Sequence, residues 1–202
     1  MKWKYISCLM VVFLIAFACE KNEKRIDDFF VEFATVIKPA EQITFQLDNN
    51  KILIPKKLKD YSGKNGQRVV LNYTPLRGDT IKVNSVSDIF TGTVQESNAV
   101  DTLIKEPVKI QSVWVGGNYL NLILEIEYYN KTHVIGLFRD TQSSIINLHL
   151  THSKDGDPPG YAKKLYASFS LSAIKSANVS PTPFRLHINT HSGVRVFELL
   201  VK

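Results

Sequence analysis

Five histidines carry most of the chemistry this sequence could perform. His149, His152, Asp155 and Asp157 form the densest set of metal-ligating side chains. Residues three apart on a strand point to opposite faces, so His149 and His152 share an ion only across a bulge or turn. Asp155-Gly156-Asp157 resembles the start of a calcium loop but lacks the later ligands, including a bidentate acid. A hairpin turn is the favoured reading. His187 and His191 share a strand face but sit about 13 Å apart, too far for one ion. His133 reads as a partly buried, hydrogen-bonded strand residue. No metal site and no cofactor is expected.

A Ser-His-Asp set is assembled by folding rather than spacing, so sequence does not exclude one. The G-x-S-x-G elbow and its strand-to-helix context are missing. Glu125 and Glu127 share a strand face and read as the wet side of a half-buried sheet, not as a glycosidase pair. There is no P-loop and no G-x-G-x-x-G. No catalytic residue is therefore assigned. Trp114, Tyr119 and Tyr129 are candidate ligand-binding aromatics, because flat rings on a sheet stack on sugars and anchor protein interfaces. A core tryptophan between two sheets is the competing reading for Trp114.

The elements that must position these residues are strands. From Phe29 onward the apolar pattern has period two. Val31, Phe33, Thr35 and Ile37 alternate with Glu32, Ala34 and Val36. Ile43, Phe45 and Leu47 alternate with polar neighbours, then Asp48-Asn49-Asn50 turns the chain, since Asx residues tolerate positive φ. Strands over Lys51–Ile54, Arg68–Tyr73, Thr80–Val86 and Ile89–Val94 complete a first group of about six, the size of a small barrel. After Glu106-Pro107 the pattern restarts with Lys109–Val115, a tight Gly116-Gly117-Asn118 turn and the long strand Tyr119–Tyr129. Further strands, through Val194–Val201, bring the second group to seven, which suggests a sandwich. Ser172–Asn178 is the one candidate helical turn.

The N-terminus fixes the compartment. Lys2 and Lys4 precede an apolar run, Ile6 to Ala18, too short for an ordinary membrane span. Ala16-Phe17-Ala18-Cys19 then meets the polar stretch from Glu20 to Arg25. Two cleavage readings compete between Ala18 and Cys19: an ordinary signal peptidase site, or a lipobox that lipidates Cys19 first. The position of Cys19 and the charged tether behind it favour lipidation. The other cysteine, Cys8, leaves with the signal, so the mature domain has no disulfide. The chain of 202 residues loses two lysines and no acid with the signal, leaving 23 basic against 19 acidic side chains, or +4. Lys56, Lys57 and Lys59 are flanked by aliphatics rather than stacking aromatics, so no nucleic-acid partner is expected.

Several pieces together resemble the NigD-like lipoproteins of Bacteroidetes. They are Leu47-Asp48-Asn49-Asn50, the run Gly66 to Tyr73, Glu106-Pro107-Val108 with Trp114, and Tyr119-Leu120-Asn121. The His133 strand, Leu148-His149-Leu150 with His152, Gly156-Asp157 and Ser168-Phe169-Ser170-Leu171 complete the set. The lipobox and Ser170, where aspartate is usual, depart from the pattern. The resemblance implies an all-β chain: signal peptide 1–18, lipidated tether 19–28, OB-like β-barrel 29–105 and β-sandwich 106–202. It implies a lipid-anchored envelope protein of the outer membrane, with a membrane contact through the N-terminal lipid. It implies no chemistry. The expectation is a noncatalytic binding or scaffold module for an envelope protein or glycan, with an envelope polysaccharide hydrolase as the alternative. Asp79-Thr80-Ile81 and Asp101-Thr102-Leu103 resemble the Asp-Thr-apolar sequence that Bacteroidetes O-glycosylate, which makes Thr80 and Thr102 candidate sugar acceptors.

Overall fold

The computed structural model describes residues 28–38, 42–58, 60–176 and 180–202. The signal, its cleavage point at Ala18 and Cys19, and the tether through Asp27 lie outside the described residues. Five strands close a barrel in the order β1-β2-β3-β5-β4: β1 Phe30–Ile37, β2 Thr44–Leu47, β3 Ile52–Pro55, β4 Arg68–Pro75 and β5 Thr80–Asp88. That is the OB arrangement. Alternation drives it: Ala34, Val36, Phe45, Leu47, Leu53, Val69, Leu71 and Ile81 point inward and are buried together. Asn50 turns the β2–β3 hairpin at φ 68°, with the Lys51 N–H donating to the Asn49 side chain at 3.0 Å. A register shift between Asn72 and Tyr73 on β4 bends the sheet toward closure.

The remaining strands are β6 Phe90–Ser97, β7 Lys109–Gly116, β8 Tyr119–Tyr128, β9 Val134–Asp140, β10 Asn147–Ser153, β11 Tyr161–Ser170, β12 Thr182–Thr190 and β13 Gly193–Val201. They run β13-β12-β10-β9-β6-β11-β8-β7. Leu120, Leu122 and Leu124 face Leu137, Leu148, Phe184 and Leu186 in one apolar layer. The sequence reading placed residues 90–97 in the barrel, within its 29–105 segment. They belong instead to the sandwich. Phe90–Thr93 pairs with β11 and Val94–Ser97 pairs with β9, both parallel. The reason is topological: pairing of β1 with β4 already closes the barrel, so no edge remains for a sixth strand. The strand also carries its own anchor, since the rings of Phe90 and Phe169 meet at 5.5 Å. Ser172–Ile174 makes a turn rather than a helix, with the Ile174 N–H donating to Leu171 at 3.1 Å.

The two units meet around Arg68, which is fully buried. Its Nη2 donates to Asn121 Oδ1 on β8 at 2.9 Å, and its Nη1 donates to Thr35 on β1 at 3.0 Å. Its Nε reaches Ser168 on β11 at 3.3 Å. Nη1 also lies 2.8 Å from Asp48 Oδ1, a contact more ionic than directed. Asn121 closes the ring by donating to Asp48 Oδ2 at 2.9 Å, while Ser168 donates to Asn121 Oδ1 at 2.6 Å. The guanidinium lies 4.5 Å from the ring centre of Tyr119. The hairpin tip Gly116-Gly117 stacks on the same aspartate. A Cβ at Gly117 would come within 2.8 Å of Asp48 Oδ1, and the residue has φ +57°. Its N–H donates to the Asp48 carbonyl at 3.1 Å.

Removing one partner of such a buried pair costs about 3–5 kcal/mol, because the other charge is left stranded. Arg68→Ala is expected to lower unfolding free energy by that amount. Arg68→Lys should fall between it and wild type, since an ammonium cannot fork to several acceptors. Urea unfolding followed by Trp114 emission checks both. A loss below about 1 kcal/mol for the alanine variant would mean the network is solvated rather than buried.

Candidate functional site

A cleft of about 430 Å³ opens between the outer face of β1 and the outer face of β7, β8 and β11. Phe33, buried in its wall, meets Trp114 edge to face at 4.8 Å and Tyr166 at 6.2 Å. Glu32, Asp48 and Asn49 supply the polar margin. Strand parity accounts for this set. Val31 and Phe33 point away from the barrel core, and Ile123 and Tyr166 point away from the sandwich core, so the unlike faces meet.

Both carboxylates in the cleft already have partners. Asp48 serves Arg68 and Asn121. Glu32 accepts the Tyr73 hydroxyl at 2.5 Å. Burial, then that hydrogen bond and charge, push the Tyr73 hydroxyl well above its ordinary range. No serine, cysteine or histidine lines the cleft among the described residues. The arrangement offers aromatic faces and hydrogen-bonding groups to a ligand.

The three aromatics singled out by sequence are not brought together. Trp114 lines the cleft. Tyr119 covers Arg68 behind it. Tyr129 is exposed just beyond the far end of β8, about 33 Å along the chain from Tyr119. Phe33 and Tyr166 were missed, because alternation alone does not say which outer faces meet. Thr80 is half-buried at the start of β5, whereas Thr102 is exposed and donates its hydroxyl to Ala99 at 2.8 Å.

The histidines form two separate groups. His149 and His187 face each other across paired strands with rings stacked at 4.5 Å. Burial, followed by neighbouring positive charge, lowers both below the ordinary histidine range. His191 is exposed. Among the described residues no three His, Cys, Asp or Glu side chains are placed so that they could hold one metal ion. His152 lies on the opposite face of β10 from His149, as strand geometry requires, and joins His133 and Asp157 in a buried chain.

Hydrogen bonds run the length of that chain. Asp157 accepts the N–H groups of Tyr129 and Lys131 at 2.8 and 3.0 Å, and that of Asn130 at 3.1 Å. Burial alone would raise its carboxyl. The three backbone donors and His133 more than offset this and hold it well below the usual carboxylate range. His133 Nε2 lies 3.2 Å from this carboxylate, so it carries hydrogen. At the other end, His152 Nδ1 faces the Glu106 carbonyl at 3.2 Å, so it too carries hydrogen. The inner nitrogens lie 2.8 Å apart, within hydrogen-bond distance of each other. The chain ties the β8–β9 turn to the segments at Glu106 and Asp157, a structural clamp.

The clamp gives stability a definite pH dependence. Burial, with the His133 ring beside it, makes His152 resist protonation. The unfolded chain takes that proton below about pH 6.5, so stability falls as pH drops through this range. Asp157 adds a second loss at lower pH, as the unfolded carboxyl protonates first. Thermal unfolding from pH 7.5 to 3.5 is expected to show both losses. His152→Gln should flatten the upper part of the profile and Asp157→Asn the lower. Profiles identical to wild type would show that neither group binds protons differently in the folded and unfolded chain.

Comparison with known proteins agrees with the two-part fold. Residues 33–89 match the NigD-like N-terminal OB domain, and residues 91–199 match the NigD-like C-terminal beta sandwich domain. The break falls where β6 leaves the barrel. A provisionally named toxin-related protein from Parabacteroides distasonis is 26% identical, with a TM-score of 0.78 over 87% of this chain and 94% of that one. A NigD-like immunity protein from Bacteroides caccae is 26% identical, with a TM-score of 0.67 over 84% and 90%. A provisionally named lipoprotein from Bacteroides fragilis, 14% identical, shares the fold at 0.67 over 87% and 98%. No curated protein matches the chain. The two matched domains, in this order and over nearly all the described residues, establish that the chain belongs to the NigD-like family.

Proposed function

We propose that this chain is a lipid-anchored envelope protein that acts by binding, with the cleft between barrel and sandwich as its ligand site. The observation that carries the reading is the cleft itself. Three aromatic rings form its wall, and its two carboxylates are committed to Arg68, Asn121 and Tyr73. An extended ligand with an apolar face and hydroxyl or amide groups fits that surface, as envelope glycans do. A relative named as an immunity protein agrees with a role exercised by contact rather than turnover. The anchor is the acylated Cys19 of the outer membrane form, and Thr102 is the better placed of the two candidate sugar acceptors.

Trp114 is the sole tryptophan outside the signal segment, so its emission reports directly on the cleft. Titration with oligosaccharides released from the producing cell's envelope is expected to change that emission saturably. Tyr166→Ala should weaken the affinity roughly five- to tenfold, the loss of about one stacking contact. Saccharide recovered intact supports a binder. Saccharide recovered cleaved would support the hydrolase alternative. Binding that leaves Trp114 unaffected would move the site elsewhere.

The anchor is tested separately. An alkyne fatty acid fed to cells should label wild-type protein and not Cys19→Ala. Absence of label on wild type would leave a protein cut after Ala18 with a free thiol.

A further inference from the structure

We infer that the barrel end from which the tether leaves rests directly against the lipid surface, through Phe29, Phe30, Leu76 and Ile54. The inference builds on the acylated Cys19 proposed above and adds a second, side-chain contact to it. Phe29 is 58% exposed and Phe30 49%, with Leu76 and Ile54 also exposed. Strand register gathers them. Phe30 stands opposite Tyr73, so Phe29 lies beside the end of β4, and Leu76 follows that end. Leu76 donates its N–H to Thr80 at 2.9 Å, and Ile54 is the partner of Thr80 across β3 and β5.

The barrel leaves this rim uncovered for a stated reason. β2 pairs with β1 only from Ala34 to Ile37, so Phe30–Phe33 has a strand on one side alone. Phe30 stacks on Tyr73 at 5.7 Å and presents its other face outward. What covers it follows from the chain. Nine residue steps separate Cys19 from Asp28, about 30 Å at full extension. An acylated Cys19 thus confines this rim to the membrane, where even weak apolar contacts are made at high effective concentration. The charges at the rim are mixed: Asp28 is exposed beside Phe29, Asp79 is engaged by Lys51 at 3.6 Å, and Arg77 is exposed at the same turn.

The mature chain has no cysteine other than Cys19, so single cysteines can carry an environment-sensitive dye. The full lipidated protein, purified with Phe29→Cys, Leu76→Cys or Val134→Cys, is reconstituted on phosphatidylethanolamine–phosphatidylglycerol vesicles bearing brominated acyl chains. Val134 is the control, because β8 carries the chain about 30 Å from the barrel before β9 begins there. Docking predicts flotation with the vesicles, blue-shifted and quenched emission at 29 and 76, and neither change at 134. The pair Phe29→Ser and Phe30→Ser should abolish quenching at 76 while flotation persists. Flotation without quenching at 29 would overturn docking and leave the anchor standing. So would equal quenching at 134, or a blue shift that appears without vesicles and grows with protein concentration, the sign of a second copy. Failure to float would remove the anchor and docking together.

Discussion

The guanidinium of Arg68 is the constraint around which the two units are arranged. It is out of water, and an unpaired charge there would cost more than folding provides. Its donors are met by Thr35 and Asp48 from the barrel, and by Asn121 and Ser168 from the sandwich. Neither unit satisfies it alone. The relative placement of the units is therefore fixed by hydrogen-bond geometry, not only by apolar contact. The cleft inherits its shape from that fixation, since Asp48 belongs both to the network and to the cleft wall. Gly117 is the matching concession of the sandwich: its backbone conformation and missing Cβ let the hairpin tip reach the aspartate.

The local parts of the fold are legible in the sequence, and the joints are not. Alternation in β1, β2 and β8 places the core residues, and the Asx and glycine turns at Asn50 and Gly117 follow from residues that accept positive φ. The strand 90–97 is legible as a strand but not as a member of the sandwich. Its partners lie near residues 137 and 169, and parallel pairing over such separations leaves no local mark. Arg68 opens an apolar run and carries no sign of its burial, because its acceptors come from four distant segments.

The histidines show the same division. Period-two geometry separates His149 from His152, and the structure places them on opposite faces. It does not reveal that each finds a partner on another segment, His187 and His133 respectively. Spacing arguments test residues within one element. The buried chain from Glu106 to Asp157 crosses three. Its role in tying loops together explains why residues that looked like ligands make no open coordination site among the described residues.

The strand shared between the two sandwich layers has a consequence for how the chain acquires its structure. The barrel is contiguous, Phe30 to Asp88, and its pairings need nothing beyond that segment. β6 follows at once, but its two partners end at Asp140 and Ser170. As the polypeptide emerges from its amino end, the barrel completes while the second half of β6 waits some forty residues for β9 and the first half some eighty for β11. Arg68 waits 100 residues for Ser168. Such non-local closure is slow and leaves strand edges open to other chains. The sandwich half, not the barrel, is where assembly of this protein is most exposed to error.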